Sequence, residues 1–152
     1  MGFRQVEIGM ERPAVACCCS RSAADGKAVV MEKIQGGCLC GAVRFSASGP
    51  PKSVFWCHCT SCRKHSGAPV SVFVGFDRGA YSVTTGEIVE FASSPGTVRG
   101  FCQRCGSTLT CEVSALRGET HFHVGAFDEP ERLQPGRHFF RNEQVPWLHL
   151  AD

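Results

Sequence analysis

Long apolar runs and an excess of either charge are what this chain lacks. No stretch of its 152 residues approaches the ~18 uninterrupted apolar residues of a membrane span, so no membrane partner is expected. Sixteen basic residues against 14 acidic leave a formal net charge of +2. That balance offers no concentrated basic face for nucleic-acid phosphates, and no nucleic-acid partner is expected. The opening residues do not read as an export signal. Residues 1–12 mix both charge signs, and the apolar run from Ala14 to Cys19 falls short of the ~7–15-residue core of a signal. Val6 stands where a myristoylation site wants Ser or Thr. A cytoplasmic location is the expectation. Helical periodicity is scarce and no long internal repeat is visible. With 43% hydrophobic and 20% charged residues, the composition is globular, and the length suits one domain with a modest core.

What the chain has in quantity is cysteine, 11 residues in all. In a reducing compartment, clustered cysteines are metal ligands or redox groups more often than disulfides. Seven of them fall into three clusters: Cys38-Leu39-Cys40, Cys57-His58-Cys59-Thr60-Ser61-Cys62, and Cys102-Gln103-Arg104-Cys105. Short Cys spacings let sulfurs converge on one ion, and zinc takes four tetrahedral ligands. The economical assignment puts Cys38, Cys40, Cys102 and Cys105 around a structural zinc. Cys57, Cys59 and Cys62 then hold a second zinc with one position open. The alternative closes that trio with Cys111, His58 or His65, which would make both sites structural. Cys111 alternates with Leu109 and Val113 and reads as a buried core thiol. Gly37, Gly41 and Gly106 flank the clusters and are expected to permit tight turns.

The body of the chain reads as short strands with little helix. Alternating runs at 42–46, 70–74, 87–91, 108–113 and 121–125 are separated by turn signals such as Gly49-Pro50-Pro51, Asp77-Arg78-Gly79 and Ser94-Pro95-Gly96. This predicts a mostly β, antiparallel-sheet protein, with single helical turns at 60–65 and 129–133. Phe73, Phe76, Phe91, Phe101, Phe122 and Phe139 are the expected core bulk, and Trp147 an apolar plug. His121 and His123 read as sheet residues, and Arg104 as exposed. Residues 1–30, which include Cys17, Cys18 and Cys19, show no hydrophobic period. They are expected to be an N-terminal extension, either a disordered or acylated tail or text upstream of a true start at Met31. Residues 31–152 are expected to form the zinc-binding domain.

Three passages resemble the glutathione-dependent formaldehyde-activating enzyme family, which also includes centromere protein V. They are Gly36-Gly37-Cys38-Leu39-Cys40-Gly41-Ala42-Val43, Cys57 through Lys64, and Phe101-Cys102-Gln103-Arg104-Cys105-Gly106-Ser107. His123 through Asp128 and Val145-Pro146-Trp147-Leu148 are similar to it too. The resemblance implies a β-tent of antiparallel sheets built around two zinc sites, the four-cysteine site structural and the trio catalytic. It also implies a carbon–sulfur lyase that adds glutathione to formaldehyde, giving S-(hydroxymethyl)glutathione.

The residues are compatible with that chemistry. Three thiolates make zinc a weaker Lewis acid than three neutral histidines do, which disfavours a hydrolase. A soft site still accepts a further sulfur as thiolate, and the thiolate is the nucleophile. The zinc-deaminase His-x-Glu motif is absent. Arg63 and Lys64 directly follow the trio and are candidates to hold glutathione carboxylates. His58 and His65 are both candidates to carry away the thiol proton. The competing reading is a non-catalytic protein-binding module with both zincs structural, and the trio's fourth ligand separates the two. Chromatin binding, by analogy with centromere protein V, lacks a basic tail.

Overall fold

A computed structural model describes residues 33–150; the expected extension over 1–30, with Cys17, Cys18 and Cys19, lies outside the described residues. Ten strands and one α-helix make up the regular structure described: β1 Lys33–Gly37, β2 Arg44–Ser48, β3 Ser53–Cys57, α1 Thr60–Ser66, β4 Ser71–Asp77, β5 Tyr81–Thr85, β6 Val89–Ser94, β7 Thr97–Phe101, β8 Thr108–Val113, β9 Glu119–His123 and β10 Arg137–Phe139. Short 3₁₀ turns join several of them, one at Pro130–Arg132 within the expected 129–133 turn. No helix among the described residues is long and apolar enough to cross a membrane.

The strands form two sheets. A three-stranded sheet has the order β1-β2-β5, and a seven-stranded sheet the order β10-β3-β4-β9-β8-β7-β6. The mostly β, antiparallel expectation holds, with one departure: β10 pairs parallel to β3 at the sheet edge. The runs at 42–46 and 87–91 begin two residues before β2 and β6 do. In the run at 121–125, β9 stops at His123 and Val124–Ala126 turns as 3₁₀. Strands β1, β3, β5, β7 and β10 lie outside those runs, and β3 has no alternation to find. β3 (SVFWC) is half-buried on both faces between β4 and β10.

The core lies where the two sheets meet. Phe45 and Ala47 come from the small sheet, and Val74, Phe76 and Phe122 from one face of the large one, all 0–1% exposed. Phe122 joins the layers, with its ring centroid 4.5 Å from Phe45 and 4.9 Å from Tyr81. Of the six phenylalanines expected to supply core bulk, Phe73, Phe76 and Phe122 are buried, Phe101 is half-buried, and Phe91 and Phe139 are exposed. β6 and β10 are the two edge strands of the large sheet, where little packs over a side chain. Phe45 and Phe127 fill the core instead. Trp147 is 67% exposed and is no plug. Phe122→Ala should cost about 3–5 kcal/mol, because it empties the joint between two sheets that cannot collapse onto each other. Urea unfolding at neutral pH checks this.

The other face of the large sheet carries the chemistry. Cys57 pairs with Ser71, Phe73 with His123, Cys111 with His121 and Arg99 with Cys111 across β3, β4, β9, β8 and β7. Neighbours in register point to the same face. A register shift at Gly100/Phe101 explains why Leu109 joins the inter-sheet core while Cys111 and Val113 pack with Cys57, Cys62 and Phe73.

Candidate metal centre

Each pair of the four-cysteine group sits in a hairpin turn. Cys38 and Cys40 occupy the β1–β2 turn, and Cys102 and Cys105 the β7–β8 turn. The two turns are built alike. The Cys38 N–H donates to Val43 O at 3.0 Å and Gly41 N–H to Cys38 O at 3.0 Å. Cys102 N–H donates to Ser107 O at 3.0 Å and Gly106 N–H to Cys102 O at 2.8 Å. Gly41 and Gly106 have φ of 72° and 74°, the left-handed region that a side chain resists. Gly37 is needed for a different reason: a Cβ there would lie 2.4 Å from Val43 O. Ser107 ties the two turns together, accepting from Leu39 N–H at 3.0 Å.

The four sulfurs lie within 4.8 Å of one another. Cys38 and Cys40 are 3.5 Å apart, and Cys40 and Cys102 3.9 Å. Zinc–sulfur bonds of about 2.3 Å give a tetrahedron with edges of about 3.8 Å, so this donor set fits the ion. One turn belongs to the small sheet and the other to the large one, so a metal here would bind sheet to sheet. Cys38 and Cys102 are also members of the inter-sheet core.

The trio is built at a strand-to-helix junction. Cys57 ends β3, Cys59 caps α1, and Cys62 lies in its first turn. The Cys59 sulfur accepts from Cys62 N–H at 3.3 Å, the role that Ser or Asp usually takes. Gly67, at φ 72°, closes the helix with its N–H on Arg63 O at 2.8 Å. Glu143 braces the start of α1, accepting from Thr60 N–H at 2.7 Å and Thr60 Oγ1 at 2.8 Å. Cys57 and Cys62 sulfurs are 3.6 Å apart, and all three sulfurs lie within 4.8 Å of one another. Among the described residues no fourth Cys, His, Asp or Glu joins that group. Cys111 packs against the trio as a buried thiol, and burial pushes its pKa up to about 11.

The two candidate proton carriers differ. His58 is fully buried, with Nε2 2.8 Å from His138 Nδ1. His65 is half-buried in the last turn of α1, and its shielded Nε2 has no partner among the described residues. Arg63 is half-buried and donates to Thr60 Oγ1 at 3.1 Å, while Lys64 is exposed. Arg104 is exposed.

Sequence reasoning missed Arg99, while His121 and His123 lie in β9 as the sheet residues expected. Arg99 is 4% exposed, with Nη2 3.7 Å from Cys62 Sγ and Nε 3.1 Å from Ser93 Oγ. The Cys62 thiol is pushed down to about 5 by the hydrogen bond from Cys57 and further by the Arg99 guanidinium. His123 is 8% exposed and packs on Phe73, with ring centroids 4.5 Å apart. The available signal for Arg99 was its cross-strand position opposite Cys111, which requires the register. A cleft of about 580 Å³ runs from Cys38 and Leu39 past Ser66 and Ser71 to His123, with the Arg44–Asp128 ion pair on its wall.

Burial, helped by the charges of His65 and Arg99, holds His123 down to about 4. Its folded pKa lies below the ordinary 6.5, so the unfolded chain takes up the proton first as pH falls. The stability is complete above about pH 6.5 and is lost as pH falls towards 4, of order 3 kcal/mol in total. Denaturant midpoints between pH 7.5 and 4.5 should fall less steeply for His123→Leu than for the unaltered chain.

Residues 33–143 match the family described as glutathione-dependent formaldehyde-activating enzyme. A Halomonas elongata protein named for that enzyme is 35% identical over 128 residues, 77% of this chain and 80% of its own length. A Schizosaccharomyces pombe protein named an uncharacterized lyase is 35% identical over 79 residues, 52% of this chain. That match spans only 57% of the yeast protein. A crystal structure of a Rhodobacter sphaeroides protein superposes with a TM-score of 0.56 at 18% identity, covering 69% of this chain and 99% of that one, which shows likeness of fold.

Proposed function

The chain belongs to the glutathione-dependent formaldehyde-activating enzyme family, and from that premise we propose that it adds glutathione to formaldehyde. The reaction forms a carbon–sulfur bond, moves the carbonyl π pair onto oxygen, and places the proton given up by the thiol on that oxygen. The product is S-(hydroxymethyl)glutathione, which makes the protein a carbon–sulfur lyase acting in the direction of addition. The domain is residues 31–152, the location cytoplasmic, and the partners two small molecules.

The observation that carries this reading is the trio: Cys57, Cys59 and Cys62 bring three sulfurs together and recruit no fourth protein ligand among the described residues. Cys38, Cys40, Cys102 and Cys105 would hold a structural zinc and the trio a catalytic one. Zinc held by the trio would supply soft Lewis-acid chemistry that favours a substrate thiol in its thiolate form. The protein's own groups do the rest. Arg99 offsets the negative charge that three thiolates gather in a buried place. His58 and His65 are the candidate carriers of the thiol proton; His58 Nε2 meets His138 Nδ1, and its Nδ1 has no partner among the described residues. Arg63 and Lys64 extend from α1 beside the trio and meet the carboxylates of glutathione.

Zinc content and exchange spectroscopy test the reading together. Two zinc ions per chain, and NMR exchange between glutathione, formaldehyde and their adduct faster than in buffer, are expected. Two tightly held ions without faster exchange would overturn it in favour of a zinc-stabilised binding module.

A further inference from the structure

Four side-chain nitrogens around the trio are shielded from solvent and have no hydrogen-bond partner among the described residues. His58 Nδ1 belongs to the ring paired with His138, and the other three are Arg99 Nη1, His123 Nε2 and His65 Nε2. An unpaired buried polar atom is costly, and three in one neighbourhood call for an acceptor supplied from outside. They come from β7, β9 and α1, so no local turn explains them. The His65 and His123 ring centroids are 6.0 Å apart. Arg99 touches Cys62, three residues before His65 on the same helix, and its charge reaches both imidazoles, lowering the pKa of each after burial.

The remaining donors define the acceptor. Arg99 already uses Nε on Ser93 and Nη2 on Cys62. It has one nitrogen left, not the two-pronged fork that suits a carboxylate. Burial keeps both imidazoles neutral, and each presents one N–H in the tautomer protonated at Nε2. Three single donors match one charged oxygen atom. The shielding suits a one-carbon carbonyl compound better than a peptide carboxylate. His123 also lines the cleft together with Ser66 and Ser71, whose hydroxyls lead back to Cys62 O at 2.9 Å and 3.5 Å.

We infer that Arg99, His123 and His65 form an oxyanion pocket for the aldehyde oxygen, an inference that rests on the reaction proposed above. When the thiolate sulfur bonds to the carbonyl carbon, the displaced π pair becomes negative charge on oxygen, and the three N–H groups receive it. The oxygen then takes the proton released by the thiol and leaves as the hydroxyl of the hydroxymethyl thioether. Donors fixed in a dry site before the charge develops need no reorganisation, and removing one such donor typically costs 10²–10³-fold in kcat.

His123→Leu and His123→Gln, in the full zinc-loaded chain, make the test. Leu removes the N–H, and Gln returns one at similar reach. The kcat of formaldehyde–glutathione exchange should fall roughly 10²–10³-fold with Leu and recover at least about tenfold with Gln. Zinc content, melting temperature at pH 8 and the Kd for glutathione alone should stay within about twofold or unchanged, since the pocket acts on the aldehyde and not the thiol. If the Leu variant does not fold, His65→Leu and His65→Gln give the same comparison on a half-buried helix position. Unchanged exchange in the Leu variant, or a loss matched by lost zinc or lost glutathione affinity, overturns the pocket while the proposed reaction stands. An unaltered chain that does not accelerate exchange overturns both.

Discussion

Cys102→Ser should leave a chain that holds one zinc ion instead of two and no longer melts cooperatively. Cys102 is 1% exposed, sits in the β7–β8 turn of the large sheet and belongs to the core shared with the small one. Its sulfur faces Cys40, in the β1–β2 turn, at 3.9 Å. A zinc ion held by both turns would therefore tie the two sheets together. Structural zinc contributes about 10–16 kcal/mol at pH 7 in small zinc-binding peptides, as much as or more than the 5–15 kcal/mol by which most domains are stable. A harder oxygen ligand at one corner removes a large part of that. It also buries a hydroxyl where the core expects sulfur. Zinc analysis alongside a thermal melt by near-UV circular dichroism reads the outcome. A cooperative melt within about 5 °C of the unaltered chain would show that the four cysteines do not staple the sheets.

Cys59→Ser should do the reverse, keeping the fold and losing the chemistry. Cys59 caps α1, its sulfur accepting from Cys62 N–H at 3.3 Å. Serine is a preferred residue at this position, and its shorter, stronger acceptor should hold α1 at least as well. The melt should stay within about 2 °C, since the change touches neither the inter-sheet core nor the four-cysteine group. The trio, however, would keep only two soft ligands, and its affinity for zinc should fall by orders of magnitude. Exchange between formaldehyde and glutathione should drop to the rate seen in buffer. Loss of the second zinc with full exchange activity would remove the trio from the mechanism. Set beside Cys102→Ser, the pair separates one cysteine group that holds the fold from another that serves the reaction.

The seven cysteines were legible because their spacing is local. Two sulfurs two or three residues apart converge wherever the chain makes a tight turn, and Gly41 and Gly106 mark those turns at φ 72° and 74°. The turn over 60–65 was legible for a similar reason, and α1 occupies Thr60–Ser66. The antiparallel character of the sheets followed from short alternating runs and frequent turn residues. Phe91 and Phe139 were misread because apolarity alone does not say whether a strand lies at an edge. Both lie on the edge strands β6 and β10, while Phe45 and Phe127 took the places expected of them.

Arg99 and His123 were beyond local reading. Each carries its meaning through a cross-strand neighbour far away in sequence: Arg99 through Cys111 and Cys62, His123 through Phe73 and His65. The linear chain by itself determined the ligand chemistry, the number of cysteine groups and the β character, since these depend on residue type and short spacing. Only the tertiary structure decided which sulfurs meet across the two sheets, which histidine nitrogens are left unpaired, and that an arginine is buried beside the trio. Those outcomes depend on strand order and register, which are set by the packing of whole sheets and leave no mark on any short stretch of sequence.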